Sequence, residues 1–338
     1  KHSLKLCALI LMKVYTLDVD SSQRDPVLYA YANNYVVTLE NPVYDVEKIE
    51  LVSGRIPTPQ RTIDVSNRTF SVDGTDVTLD VKNYTSGTTL ATDLQSALSP
   101  PVSNVDSVVY TSTTDTMLFS NVDGASSFTL EFGTGTYGYE SNGTTTTPHQ
   151  VFGFGSRDVH SNAITSGAID LTGPNALYIR LTTGSDDFTK DVYTGTPFYT
   201  GKIHLRGNDY VDFSGADDPI VHEFHSGTQK VMDALKIEFF YMSHGRLIPY
   251  NFRNQEHSLK FKITCSTDRL EHLARVKEED VEAMTLPPPV HIREKKNLNR
   301  WQDFVPIGLI ILVGLLMMMF IGRPRPRTSV APVAKPSG

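Results

Sequence analysis

RTFSVDGTDVTLDV, Arg68–Val81, holds two alternating apolar runs, TFSV and VTLDV, around Asp73-Gly74. An Asp-Gly between alternating runs is the strongest short-range signal for a β-hairpin, because the tight turn needs residues that accept positive φ. The same grammar spreads outward. Thr116–Ser120 and Ser126–Phe132 flank a second Asp-Gly at 123–124, and Ser107–Thr111 precedes them. Upstream, Lys13–Val19, Tyr35–Leu39 and Val46–Val52 read as strands, with a turn at Asn41-Pro42 and a breaker loop over Gly54–Pro59. Downstream, Ala176–Thr182, Gly201–Leu205, Tyr210–Phe213, Ala234–Met242, Leu247–Phe252 and Ser258–Cys265 continue the series. Two short helices interrupt it. One is capped at Thr88 or Thr89, is striped by Leu90, Leu94 and Leu98, and stops at Pro100-Pro101. The other occupies residues 267–286, with Leu270, Leu273 and Val276 on its apolar side.

The expected fold class is all-β: a jelly-roll-like sandwich over residues 13–266, or two sandwiches divided in the Gly/Thr-rich stretch near 133–150. A Pro-led charged stalk follows at 287–303. FVPIGLIILVGLLMMMFI, residues 304–321, carries no charge. At helical rise it would span about 27 Å, near the ~30 Å of a hydrocarbon core. The sequence therefore predicts a single C-terminal transmembrane helix. Its anchor residues would be Phe304, Ile307, Leu309, Ile310, Leu312, Leu315, Met318, Phe320 and Ile321, with Trp301, Arg300, Arg323 and Arg325 at the membrane interface. A basic tail, 322–338, closes the chain. Residues 1–12 read as a signal-like stretch or as an extension upstream of a start at Met12, and Met12 is preferred.

The 338 residues carry a formal charge of −7, and the tail holds only cations, so the body is acidic and a nucleic-acid role for it is disfavoured. Cys7 and Cys265 match neither a metal nor a redox spacing. Sequons stand at Asn67, Asn83 and Asn142. Gly133, Gly135 and Gly138 spell G-x-G-x-x-G, but a dinucleotide site needs a helix next and YESNGTTTT follows, so a flexible loop is expected. His222 and His225 would point to opposite faces of a strand, and His204, His244 and His257 lie elsewhere. Asp186-Asp187, Asp209, Asp212 and Asp217-Asp218 form acidic turns without a calcium-loop pattern. No cofactor, metal or catalytic residue is expected.

Four stretches resemble the minor capsid proteins of large icosahedral DNA viruses with an internal membrane, chloroviruses especially. They are ENPVYDVEKIELVSGRIPTPQ (Glu40–Gln60), TFSVDG with VTLDVKNYTSGTTLATDLQSAL (Thr69–Leu98), VFGFG (Val151–Gly155) and LKIEFFYMSHGRLIPYNFRNQEHSLKFKITC (Leu235–Cys265). The resemblance implies a non-enzymatic jelly-roll-like protein between capsid shell and inner membrane. Its partners would be the major capsid protein, other minor capsid proteins, the inner virion membrane and further copies of itself, and it would assemble in the host cytoplasm. Two alternatives stand beside it: a surface adhesin with glycosylated sequons, and a carbohydrate-active enzyme on a β-sandwich.

Overall fold

Two hydrophobic clusters divide the body in a nested way. The computed structural model describes residues 13–99, 101–102, 104–121, 124, 126–141, 143–183, 186–188, 198–205, 209–216, 218–224, 229–265 and 305–321. In chain order, β1 (Lys13–Asp20) and the long β2 (Asn34–Pro57) come first. Then follow β3 (Thr69–Val72), β4 (Thr75–Thr78), α1 (Gly87–Leu98), β5 (Ser107–Thr111), β6 (Thr116–Ser120), β7 (Phe128–Glu131), β8 (Val159–Ser161) and β9 (Ala163–Thr165). The chain returns through β10 (Ala176–Thr183), β11 (Asp186–Asp187), β12 (Gly201–His204), β13 (Tyr210–Ser214) and β14 (Ile220–Glu223). The body ends with β15 (Gln229–Ser243), β16 (Arg246–Pro249) and β17 (Ser258–Cys265).

The first cluster takes side chains from both ends of the body, including Ile49, Leu51, Ile179, Phe239 and Phe261. The second uses residues 63–169 only, among them Phe70, Leu94, Phe119, Phe132 and Phe152. Residues 63–169 are thus a lobe inserted between β2 and β10. The division expected near 133–150 falls instead at the two ends of this insert. Phe132 and Val151 flank that stretch and are buried in one cluster, which holds both of its ends in the same lobe.

The larger lobe is one ten-stranded antiparallel sheet, ordered β1-β17-β2-β15-β10-β11, rather than two separately bonded sheets. β2 connects its parts. Its first half pairs with β15, and its second half with β17 and with β13 and β14. The turn expected at Asn41-Pro42 is absent, because β2 runs straight through it. The register against β15 shifts between Met232 and Ala234, opposite residues 39–42 of β2, so the missing N–H of Pro42 removes no ladder bond. The Gly54–Pro59 breaker is likewise overruled as far as Pro57, since Gly54 faces both Leu259 and Phe213 across the ladder. A Cβ on Gly54 would meet Leu259 Cδ2 at 2.8 Å and Ser258 O at 3.1 Å, so a larger residue there would have to displace the Leu259 side chain.

The insert has a four-stranded sheet, β4-β3-β7-β8, and a three-stranded one, β5-β6-β9. The hairpin of the opening stretch forms as read, pairing Phe70 with Val77, with Asp73 and Gly74 both at positive φ. Helix α1 buries Leu90, Leu94 and Leu98 completely. Its cap is Ser86, not Thr88 or Thr89: the Ser86 hydroxyl accepts from Thr88 N at 3.3 Å. Ser86→Ala should therefore lower stability by about 1 kcal/mol in urea denaturation, while Thr89→Ala should leave it nearly unchanged.

The chain divides into two compact units, Lys1–Leu273 and Ala274–Gly338. The described part of the second is α2 (Val305–Ile321). Here the transmembrane expectation is corrected. The helix has 17 residues, fewer than the roughly 20 of a usual spanning helix. Among the described residues no helix is long and apolar enough to cross a membrane. The single-pass assignment of Phe304–Ile321, and the localisation built on it, therefore fall. Ile307, Leu309, Ile310, Leu312, Leu315 and Met318 lie on α2 and are exposed, and Phe320 and Ile321 end it. Phe304, Trp301, Arg300, Arg323 and Arg325 lie outside the described residues, as do residues 1–12, the 267–286 helix, the 287–303 stalk and the 322–338 tail.

Candidate interaction surface

The connection from β1 to β2, Ser21–Asn33, carries the apolar run Val27–Tyr31 and is held by polar clamps. Asp20 starts it by accepting from Ser22 N at 2.9 Å, and that hydrogen bond keeps its carboxyl below the usual range. Ser21 N donates to His257 O at 3.0 Å, while His257 N donates back to Ser21 Oγ at 2.8 Å. Arg24 reaches three acceptors: Glu256 Oε2 at 2.5 Å, Ser21 O at 2.6 Å and Tyr29 O at 3.1 Å. Burial opposes ionisation of Glu256, but the hydrogen bonds from Arg24 and Ser21 outweigh it and hold its carboxyl below the usual range. Asp25 Oδ1 accepts from Val27 N at 2.8 Å, and Tyr29 N closes the turn on Asp25 O at 2.8 Å. At the far end Asn33 Nδ2 donates to Tyr250 O at 2.8 Å.

What these clamps display is apolar. Val27 is 88% exposed, Leu28 71% and Tyr31 66%. Single exposed apolar residues are ordinary, but three in one clamped loop form a patch. Tyr31 also borders a groove of about 710 Å³ between the loop, the insert and the end of β16, lined by Arg61, Asp64, Val65, Pro249 and Arg253 among others. Val65 adds a further exposed apolar side chain. Arg253 and Asn254 on its far wall both take positive φ, 49° and 62°. Two successive non-glycine residues in that region store strain that surrounding contacts must support. Here Asn251 supplies them: its Oδ1 accepts from Arg253 N at 2.9 Å, and its Nδ2 donates to Asp64 Oδ1 at 2.6 Å. Rigidity of this kind lowers the ordering cost of binding a partner.

Among the described residues, those singled out in the sequence do not converge on one site. Among the described residues no group of three or more His, Cys, Asp or Glu is placed to hold a metal. His222 stacks on Phe188 at 4.9 Å, His244 faces His149 at 4.3 Å, and His257 lies against Phe239 at 4.7 Å. His225, Asp217 and Asn142 lie outside the described residues. The glycine motif is a bonded turn rather than a flexible loop. Gly138 N donates to Gly135 O at 2.8 Å, and Asp158 Oδ1 takes the amides of Gly133 at 2.6 Å and Thr134 at 3.1 Å. The protein's own carboxylate thus occupies the amides a phosphate would need. A Cβ on Gly138 would lie 2.3 Å from Gly133 O, which accounts for that glycine by packing. Asn67 is buried and its Nδ2 donates to Thr62 O at 3.0 Å, so in the folded protein that amide is not available to a glycan. The clamped loop itself was missed; its signal was an Asp25-Pro26 turn followed at once by the apolar run VLYAY.

Residues 11–99 match a family described as "Family of unknown function (DUF5901)". No curated protein matches the chain. Among solved structures, the chain is similar to the mavirus penton protein, at 8% identity and a TM-score of 0.29, covering 76% of this chain and 100% of that one. It is also similar to a chain of the Sputnik virophage structure, at 12% identity and a TM-score of 0.25, covering 75% and 97%. Likenesses at these TM-scores carry no weight for fold or function.

Proposed function

We propose that this chain is a non-enzymatic structural component of a virion, a minor capsid protein that holds neighbouring capsid proteins through its surface loops. The observation that carries the contact role is the clamped Ser21–Asn33 loop, which presents Val27, Leu28 and Tyr31 to solvent while every turn of its backbone is tied down. An enzyme needs convergent chemical groups, whereas a shell component needs preorganised contact surface with apolar anchors. The virion setting rests on the resemblance of Glu40–Gln60, Thr69–Leu98, Val151–Gly155 and Leu235–Cys265 to minor capsid proteins. The partners on this reading are capsid proteins, and the clamped loop with its adjoining groove is the side that meets them.

The double variant Val27→Asp/Leu28→Asp tests this. Both side chains are almost fully exposed, so the melting temperature should not change. Incorporation into purified particles, measured by quantitative mass spectrometry against the major capsid protein, should fall at least about tenfold, as loss of two apolar anchors at a contact centre implies. Incorporation at the level of the unmodified protein would overturn the assignment of the loop. Absence of the unmodified protein from particles would overturn the virion role itself.

A further inference from the structure

The insert and the larger lobe bury separate cores and meet through polar groups. The Tyr241 hydroxyl and Ser66 Oγ share a hydrogen bond of 2.9 Å, as do Ser243 and Thr146. Arg246 donates to the carbonyls of Ser141 at 2.5 Å and Thr145 at 3.3 Å. The covalent links are two: one beside Pro59, the other beside Gly173-Pro174, where Gly173 sits at φ +77°. These lobe-to-lobe contacts are hydrogen bonds, and Tyr241 is the one side chain among them that belongs to a core cluster.

At its centre two imidazoles face each other across the joint. His149 belongs to the insert and His244 to the β15–β16 turn, and their ring centres are 4.3 Å apart. His149 Nδ1 is satisfied within the insert, 2.7 Å from the Thr147 hydroxyl and 3.0 Å from the Thr147 carbonyl. Nε2 of His149 and Nε2 of His244 are both buried without a hydrogen-bond partner, and so is Nε of Arg246. Phe132 of the insert lies against His149 at 6.1 Å, Tyr241 and His244 line one cleft, and Arg246, whose guanidinium sits 5.9 Å over the Tyr139 ring, is the nearby cation. Two acids of the insert's flank are already engaged. Asp64 accepts from Asn251 and Val65, and Asp170, on the rim of the adjoining cleft, accepts from Thr172. Neither imidazole has a carboxylate partner among the described residues.

We propose that this joint is an acid-operated latch, closed while His149 and His244 are uncharged and opened when protonation adds imidazolium charge beside Arg246. A proton added to either imidazole places a cation near Arg246 in a water-poor site with no carboxylate to pair it. Burial, reinforced by His244, pushes His149 down to about 4, and burial with Arg246 pushes His244 down as well. A lowered imidazole means the closed joint favours the neutral form. Closure is therefore complete above about pH 6.5 and is lost as the pH falls toward 4.

The test is a distance measurement on the full chain by pulsed electron resonance, with spin labels at Ser96→Cys on the insert and Lys260→Cys on the larger lobe. Both positions are exposed, Cys7 is replaced by Ser, and Cys265 is buried. The expected result is one narrow distance at pH 7.5 that lengthens or broadens by several ångström at pH 4.5. It should return at pH 7.5, with the far-ultraviolet circular dichroism unchanged throughout. In His149→Gln/His244→Gln the distance should not respond to pH. Arg246→Gln, which removes the guanidinium charge and its joint hydrogen bonds to Ser141 and Thr145, should move the transition upward by about one pH unit. A pH-independent distance in the unmodified protein would overturn the latch. So would a response that survives in the double variant, a midpoint that Arg246→Gln leaves in place, or an opening that coincides with loss of the strand signal.

Discussion

Phe152→Ala should destabilise the insert lobe by about 4 kcal/mol, the range for deleting a fully buried phenyl ring. The side chain has no exposure, and its ring lies 5.4 Å from Phe70, 6.3 Å from Phe119 and 6.3 Å from Phe132. It therefore joins β3, β6 and the end of β7 from a segment with no regular structure of its own. Removing it leaves a cavity that three separate elements would have to collapse to fill. Because the larger lobe buries a different cluster, its stability should change little. Hydrogen exchange followed by mass spectrometry across a urea series reads both lobes in one experiment. Protection at Met117, Phe119 and Leu130 should disappear at lower urea in the variant, while protection at Ile49, Ile237 and Phe261 holds its place. A loss shared equally by both lobes would mean that they fold as one cooperative unit, against the two-cluster division. A loss below about 1 kcal/mol would mean that the ring is not the keystone its contacts imply.

Acidification from pH 7 to pH 4 should cost the larger lobe about 3 kcal/mol through His257 alone. This histidine is buried against Tyr35, Phe239 and Phe252, and its Nε2 shares a 2.8 Å hydrogen bond with the Tyr35 hydroxyl. Its Nδ1 is buried with no partner. A second proton on the ring would therefore be both desolvated and unpaired, and burial pushes the group from 6.5 down to about 4, with Glu256 opposing. The folded value lies below the unfolded one, so the stability is fully present above about pH 6.5 and is lost as the pH falls through 4. Each unit of displacement is worth about 1.4 kcal/mol, which sets the size of the effect. Urea unfolding at pH 7, 5.5 and 4 should show the decline. His257→Gln should be less stable at pH 7 and should have a flatter dependence over that interval. An unchanged slope in the variant would show that other groups carry the acid sensitivity. Since the same residue anchors Ser21 through its backbone, the decline should also loosen the clamped loop before the lobe unfolds.

Much of the fold could be read directly from residues. The Asp73-Gly74 hairpin, the Leu90, Leu94 and Leu98 stripe, and the alternation of Ser258–Cys265 each formed as expected. These are local rules: turn chemistry and side-chain period act over a few residues, and the chain obeys them wherever nothing distant intervenes. The errors share one physical cause. Asn41-Pro42 and Gly54 carry turn signals, yet both lie inside β2, because strands about 200 residues away pair with Gly54 and with the residues on either side of Asn41-Pro42. Local propensity yields when long-range pairing offers more hydrogen bonds and burial than a turn would. The apolar run near the C-terminus was misread for a related reason. Composition marks a stretch as apolar, but its helix starts at Val305 and ends at Ile321, and that length decides whether it reaches across a bilayer.

The interaction surface was far less legible. Val27, Leu28 and Tyr31 look like any short apolar run, and nothing local says that Arg24, Glu256 and His257 would hold them outward. The facing pair His149 and His244 is separated by 95 positions and has no motif. Composition, period and turn residues were enough to determine a strand-built body with one Leu-striped helix and no recognisable catalytic signature, since those properties depend on neighbours in the chain. Tertiary structure alone decided the nested insert, the shared strand β2, the clamped loop and the histidine joint. Each depends on which distant segments become neighbours, and that is set by the two cores as they close.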